Sequence, residues 1–249
     1  MRTTISLITA LLFATLNVSN AQVLVNEDFE SYADTAAMQV NWGASGLGTL
    51  TNSFGNPGQS AYHPGGTVNS WIGSAISVTP TATEFIRLTA DIYDDGTSGN
   101  KRMTVGFRGG PFPLFEMGMY NDPSHYSVRI NSFAGNENWL AFPNQGSFTN
   151  APVAGWHRFS VEIYETQTVV SLDLFADGSI DSSYTSVGTV SGSFTDLRFG
   201  GPSNLSSAGG GAWFDNIKLE LVSVPEPTTV ALGVLGLLAL ASRRCVRDN

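Results

Sequence analysis

Apolar and polar side chains alternate through the middle of this chain with a period of two, a pattern that predicts half-buried strands. In Glu84–Tyr93 (EFIRLTADIY), Ile86, Leu88, Ala90 and Ile92 fall on one face and Phe85, Arg87, Thr89 and Asp91 on the other. In Trp156–Tyr164 (WHRFSVEIY), His157, Phe159, Val161 and Ile163 oppose Trp156, Arg158, Ser160, Glu162 and Tyr164. Thr168–Ala176 sets Val170, Leu172 and Leu174 against Ser171 and Asp173, and the short link Glu165-Thr166-Gln167 makes these two segments a hairpin. Trp213–Leu221 (WFDNIKLEL) alternates Phe214, Asn216, Lys218 and Glu220 with Trp213, Asp215, Ile217, Leu219 and Leu221.

Turn residues punctuate the rest. Lys101–Arg108 follows Glu84–Tyr93 after Asp94–Asn100, which reads as a hairpin with a long loop. Phe115–Tyr120 and Tyr126–Ser132 flank Asn121-Asp122-Pro123-Ser124 and form another. Val187–Val190 and Leu197–Phe199 bring the total to about ten strands, with no long stretch of helical periodicity and no internal repeat. Strands this short, with turns this frequent, predict an all-β fold, a two-sheet antiparallel jelly-roll sandwich with one core. Trp42, Trp156 and Trp213, within or beside strands, are read as core.

The two ends have a different character. Met1 and Arg2, the apolar Ile5–Leu16 and the small residues Ser19-Asn20-Ala21 make residues 1–21 a signal peptide, with a mature start near Gln22. At the other end Val224, Pro225, Glu226 and Pro227 cannot continue a strand, because two prolines lack a backbone donor. Thr228–Ala241 carries no charge; as a helix it is about 21 Å long, against a hydrocarbon core of roughly 30 Å, and so makes a short transmembrane segment. Arg243, Arg244 and Arg247 then hold that end on the cytoplasmic side. A folded domain over 22–223 is thus followed by a tail over 224–249.

A VPEP box, a short apolar helix and an Arg-rich end, in that order, resemble the PEP-CTERM sorting signal. The resemblance covers about the last tenth of the chain. It implies a membrane partner of the exosortase type, transient contact with the inner membrane, and delivery to the cell envelope or extracellular matrix of a Gram-negative bacterium that makes exopolysaccharide. An ordinary C-terminal membrane anchor is the alternative.

Charge and cysteine content narrow the partners. Between residues 22 and 223 eight basic side chains face nineteen acidic ones, a surface that repels nucleic acid and anionic lipid. The single cysteine, Cys245, lies in the tail, so no disulfide can hold the domain together.

A tryptophan opening a strand (Trp156), a strand ending in Phe175-Ala176-Asp177-Gly178, and the closing Trp213-Phe214-Asp215-Asn216-Ile217-Lys218-Leu219 resemble concanavalin-like or laminin-G-like jelly rolls and carbohydrate-binding jelly rolls. In the carbohydrate-binding type the first and last strands lie side by side. That arrangement would bring Glu27, Asp28 and Glu30 to Asp215, an oxygen-rich set suited to a structural Ca²⁺. The same residues read equally as solvated edge charges and a turn acceptor.

No sequence pattern supports catalysis. Residues 22–223 contain no cysteine nucleophile and the chain no H-E-x-x-H, G-x-S-x-G or phosphate-binding loop, while His63, His125 and His157 are scattered. Paired carboxylates at glycosidase spacing are absent too. Sugar binding asks for less, an aromatic face and a few amides. Two loops combine these: Tyr62–Trp71, with Asn69 beside Trp71, and Gly135–Gln145, with Asn136, Asn138 and Trp139. Trp71 and Trp139 could instead cap the core. The sequence therefore predicts an exported, non-catalytic module with a glycan-binding, adhesive or structural role, with a polysaccharide hydrolase or lyase on the same scaffold as the alternative.

Overall fold

The computed structural model describes residues 20–96, 101–119, 125–131, 137–142, 152–190, 192–201 and 210–224. Among these residues the chain runs β1 (Ala21–Glu27), α1 (Thr35–Trp42), β2 (Thr49–Thr51), β3 (Ser60–His63), β4 (Val68–Ser70), β5 (Glu84–Asp94), β6 (Met103–Arg108) and β7 (Leu114–Met119). It continues through β8 (Tyr126–Asn131), β9 (Glu137–Ala141), β10 (Gly155–Ile163), β11 (Gln167–Asp173), β12 (Ser182–Val187), β13 (Asp196–Gly200) and β14 (Ala212–Ser223). Two antiparallel sheets result. The eight-stranded sheet has the order β12-β11-β10-β5-β14-β3-β2, with β1 also paired to β14, and the six-stranded sheet the order β4-β13-β6-β7-β8-β9.

Alternation decides which side chains meet between the sheets. Ile86, Leu88, Ala90 and Ile92 of β5 and Phe159, Val161 and Ile163 of β10 point inward from one sheet, Val105 and Phe107 of β6 and Phe115 and Met117 of β7 from the other. All are fully buried. Each large side chain so placed stabilises the fold by about 1.5–3 kcal/mol, and with no disulfide available this burial is the main source of stability. Ring pairs such as Phe199 with Phe214 (5.1 Å) and Tyr126 with Phe159 (5.6 Å) join the layers.

The expected hairpins at Phe115–Ser132 and Trp156–Ala176 are present as β7–β8 and β10–β11. The one expected from Glu84 to Arg108 is not. β5 pairs with β10 and β14, while β6 pairs with β7 and β13, so the chain crosses from one sheet to the other between them. Turn composition marks a change of direction without saying whether the next strand joins the same sheet. The helix α1 also had no periodic signal, being only eight residues long. It is set by Asp34, whose Oδ1 accepts from the Ala37 N–H (2.8 Å), and it ends at Gly43 with φ +68°. Its job is to bury Met38 and Trp42 one turn apart, with Trp42 against Phe199 (4.8 Å) and Trp71 (5.1 Å).

A β-bulge interrupts β14. Asp215 is opposite Asp91, but the next registered pair is Lys218 with Thr89, and Asn216 adopts φ +48°. Asparagine tolerates this left-handed conformation better than most residues. The extra residue shifts the alternation by one, so that Phe214 and Ile217 both point inward while Trp213 and Lys218 both point outward.

Candidate functional site

The outer face of the eight-stranded sheet carries an aromatic row. In cross-strand register, Tyr62 of β3 is opposite Trp213 of β14, Trp213 opposite Tyr93 of β5, and Tyr93 opposite Trp156 of β10. Ring centroids are 4.9 Å apart for Tyr62 and Trp213, 5.6 Å for Trp213 and Tyr93, and 5.4 Å for Tyr93 and Trp156. Phe54, from the β2–β3 connection, adds a fifth ring, 4.7 Å from Tyr93, 5.0 Å from Trp213 and 5.8 Å from Trp156. All five are half-buried. Trp156 and Trp213 therefore do not belong to the core, where their position in strands had put them; of the three tryptophans assigned there, only Trp42 is in it.

Beside the row, two residues further along the same strands, is a layer of polar groups tied to the bulge. Asp91, fully buried, holds the Arg158 guanidinium in a two-point contact, Nε to Oδ1 at 2.7 Å and Nη2 to Oδ2 at 2.8 Å. Its Oδ2 also accepts from the side-chain amides of Asn56 (3.1 Å) and Asn216 (2.9 Å). Asp215 accepts the backbone N–H groups of Asn56 (2.6 Å) and Asn216 (2.7 Å). Burial raises the Asp215 carboxyl to about 7, aided by the nearby negative charges of Asp91 and Glu30 and opposed by those two N–H groups.

A polar cleft of about 360 Å³ opens beside this layer, lined by Asn26, Glu27, Asp28, Thr89, Arg158, Asn216, Lys218 and Glu220. Its cations are balanced: Lys218 Nζ is 2.7 Å from Glu220 Oε1, and Arg158 is paired with Asp91. Amides, a hydroxyl and neutralised charges next to an aromatic platform suit a ligand with an apolar ring face and many hydroxyls.

The residues singled out from sequence divide among different places. Tyr62 opens the aromatic row. Asn69 faces inward and is fully buried, its amide donating to the carbonyls of Trp42 and Gly43 (both 3.0 Å) and accepting from the Gly48 N–H (2.8 Å), so it fastens α1 and is closed to ligand. Trp71 packs on Trp42 and donates from Nε1 to Ser74 Oγ (3.1 Å), a cap on that end of the core. Trp139, half-buried in β9, lies over two guanidiniums on the opposite sheet, Arg102 at 4.9 Å and Arg129 at 5.9 Å. Asn136 and the Asn138 side chain lie outside the described residues, as do residues 1–19, Pro225, Glu226, Pro227, Arg243, Arg244 and Arg247. Val224 is described, its N–H donating to the Thr83 carbonyl at 2.8 Å.

β1 and β14 do pair, as expected of the first and last strands, yet the four acidic residues assigned to Ca²⁺ do not form a ligand set. The buried Glu27 carboxylate accepts from the Phe29 N–H (2.7 Å), the Tyr32 hydroxyl and Trp42 Nε1 (3.0 Å). Burial raises its pKa, against the pull of those donors. Asp28 accepts from the Glu30 N–H (3.1 Å) and Glu30 from the Gln59 N–H (2.6 Å), while Asp215 serves Asn56 and Asn216. Local donors already occupy both carboxylate oxygens of Glu27 and of Asp215 and one each of Asp28 and Glu30, and among the described residues no group of three or more His, Cys, Asp or Glu side chains is placed to hold a metal ion. Two of the three histidines are packing groups. His63 is buried, and its pKa is lowered to about 4 by that burial; His157 is buried beside Tyr126.

Sequence reasoning missed Phe54, Tyr93, Trp156 and Trp213. The signal for Trp156 was its phase: it shares a face with Arg158, Ser160 and Glu162, the outward series. Trp213 had no such signal, because the bulge breaks the alternation that assigned it.

Among solved structures, the chain is similar to "Cellulose induced protein, Cip1", at 15% identity and a TM-score of 0.49 over 78% of this chain and 96% of that one. It is also similar to the VIP36 exoplasmic/lumenal domain in a Ca²⁺- and mannose-bound form, at 10% identity and a TM-score of 0.41 over 74% of this chain and 85% of that one. A third is domain 4 of AbnA, an extracellular arabinanase from Geobacillus stearothermophilus, in complex with arabinotriose, at 13% identity and a TM-score of 0.41 over 84% and 85% of the two chains. No curated protein matches the sequence. Among the described residues no helix is long and apolar enough to cross a membrane. Residues 223–244 match the PEP-CTERM protein-sorting motif, so this chain carries the signal of an exported protein, processed at the membrane by an exosortase in Gram-negative bacteria.

Proposed function

We propose that the protein is a non-catalytic glycan-binding module, sorted to the outer surface or the surrounding matrix, where it adheres to a neutral exopolysaccharide. The observation that carries this reading is the aromatic row Tyr62, Trp213, Tyr93 and Trp156, four outward rings on four adjacent strands beside a polar cleft whose two cations are each paired with a carboxylate. At about 4.8 Å per strand the row is about 14 Å long, room for a short oligosaccharide rather than one ring. Pyranose faces stack on the rings, and Asn26, Thr89, Asn216 and Lys218 supply hydrogen bonds to hydroxyls.

The alternative, a hydrolase or lyase, draws on Asp215, whose carboxyl titrates near neutrality next to the row. Against it, Asp215 is 1% exposed and its oxygens hold two backbone N–H groups. One experiment separates the readings: affinity electrophoresis of the domain through neutral β-glucan, xylan and mannan, with a reducing-end assay on the same polymers. Retention on at least one polymer without release of reducing ends, weakened about tenfold in Trp156→Ala, is the expected result. Reducing-end release by the protein, or retention indifferent to Trp156 and Trp213, overturns it.

A further inference from the structure

The connection between β2 and β3, residues 52–59, lies against the aromatic row and is fastened at two points. At its far end Gln59 gives its N–H to Glu30 Oε1 (2.6 Å) and its side-chain amide to the carbonyls of Phe29 (3.3 Å), Glu30 (3.1 Å) and Tyr32 (3.4 Å). Gly58, at φ +81°, passes so close that a Cβ there would meet Glu30 Oε1 at 1.9 Å. The second point is Asn56, bound through backbone and side chain alike. Its N–H donates to Asp215 Oδ2 (2.6 Å), its carbonyl accepts from Asn216 Nδ2 (2.6 Å), and its own amide donates to Asp91 Oδ2 (3.1 Å). All three partners belong to the bulge of β14 or to the residue opposite it.

Two residues before Asn56, Phe54 turns its ring into the row. It meets Tyr93 at 88°, Trp213 at 57° and Trp156 at 28°, so one loop side chain touches three of the four strand-borne rings and lies nearly parallel to the last. The Ser60 hydroxyl donates to its carbonyl. What holds the Phe54 ring in place is therefore the attachment at Asn56, since no strand pairing reaches this part of the chain.

That attachment ends on a carboxylate that is 1% exposed, with both oxygens taken by the N–H groups of Asn56 and Asn216. The charged groups facing Asp215 are Asp91 from β5, Arg158 from β10, which Asp91 holds, and Glu30 from the β1–α1 connection. Beyond them Glu27, Asp28 and the Lys218–Glu220 pair line the cleft. β3 brings the uncharged Ser60, and residues 52–59 carry no charged side chain.

We infer that Asn56 is a positioning residue of the glycan site: by latching residues 52–59 to the bulge it sets Phe54 against the row, and the latch loosens as the medium turns alkaline. This rests on the aromatic row being the glycan platform, though the latch itself can be measured without a glycan. The sign follows from Asp215. Under the closed strap burial holds its carboxyl at about 7, whereas lifting the strap wets it and returns it towards the ordinary 3.8. The closed form thus binds the proton more tightly, so its advantage is complete below 3.8 and is lost as pH rises through about 7. From pH 5.5 to pH 8.5 the ratio of open to closed strap rises about thirtyfold, at tenfold per pH unit above the folded value.

The first arm of the test uses no ligand. Hydrogen exchange of the Asn56 N–H, corrected for its intrinsic pH dependence, should lose about thirtyfold in protection between pH 5.5 and pH 8.5, and less than threefold in Asp215→Asn. Protection independent of pH in the wild type overturns the latch, and that measurement decides even where a variant fails to fold. The second arm measures affinity for the neutral polymer that the wild type retains. Phe54→Ala should weaken it about tenfold and Asn56→Ala about fivefold, while Asn56→Ala added to Phe54→Ala costs less than twofold further, because the amide acts through that ring. Additive losses, or tighter binding by Phe54→Ala, overturn the positioning role. A wild type that binds none of the neutral polymers overturns the glycan reading and the positioning role with it, a result distinct from a pH-insensitive Asn56 N–H.

Discussion

On the outer face of the eight-stranded sheet each cation has its own carboxylate, whereas on the six-stranded sheet Arg102, Arg129 and Arg198 share Glu116. Arg158 pairs with Asp91, Lys218 with Glu220 and Arg87 with Glu162, all at 2.9 Å or less. That surface is electrically quiet and dominated by rings. Opposite it, Arg102, Arg129 and Arg198 crowd one buried carboxylate. The same device, alternation on a pleated strand, produces both; what differs is whether a carboxylate serves one cation or is shared by three. A neutral ligand loses little by lying on the first face, while on the second a single buried carboxylate holds three side chains in place.

Removing one carboxylate from each face gives the largest contrast. Glu116→Gln leaves three guanidiniums without their shared counter-charge in a buried setting and should cost about 3–5 kcal/mol in denaturant unfolding. Glu162→Gln, in a pair whose side chains are 36% and 32% exposed, should cost no more than ~1 kcal/mol. Equal losses would mean that the two faces are not electrostatically different.

Next come the rings. Trp156→Ala and Trp213→Ala should each weaken binding to the retained neutral polysaccharide about tenfold, or ~1.4 kcal/mol, read by titration calorimetry. A third measurement concerns Asp215. Its folded carboxyl titrates at about 7, above the ordinary 3.8, so the folded protein holds a proton that the unfolded chain has released. The associated stability is complete below 3.8 and is lost as pH rises through about 7. The melting temperature should therefore fall from pH 5.5 to pH 8.5, and Asp215→Asn should flatten that slope; an unchanged slope in the variant assigns the effect elsewhere. Smallest is Lys218→Ala. It should change stability by less than ~1 kcal/mol, because its side chain is 40% exposed, while measurably lowering affinity for the neutral ligand.

Much of this architecture could be read from the sequence, and the failures have physical causes. Alternation gave β5, β10 and β11 with their faces, because a side-chain period of two needs no tertiary information. It failed at β14 beyond Phe214, where Asn216 inserts a residue and moves Ile217 to the core. The aromatic row depends on register between strands distant in sequence, Tyr62 with Trp213 and Tyr93 with Trp156, and no local pattern encodes that. Asn69 looked like a ligand group because it neighbours a tryptophan, but its amide is consumed by the backbone of Trp42, Gly43 and Gly48. Glu27 looked like a calcium ligand because it is acidic and terminal. Tyr32 and Trp42, five and fifteen residues further on, supply the donors that make it a buried hinge between β1 and α1.

The pairing of β1 with β14 also fixes the direction in which the molecule is presented. Ala21 is opposite Val222, the Ser223 N–H donates to the Asn20 carbonyl (3.0 Å), and the Val224 N–H donates to Thr83 (2.8 Å), so entry and exit of the chain share one pole of the sandwich. Trp213 sits ten residues upstream of Ser223 on the same strand, about 34 Å away at ~3.4 Å per residue. A domain suspended by its sorting tail would hold its row of rings at the far tip, reaching away from the point of attachment.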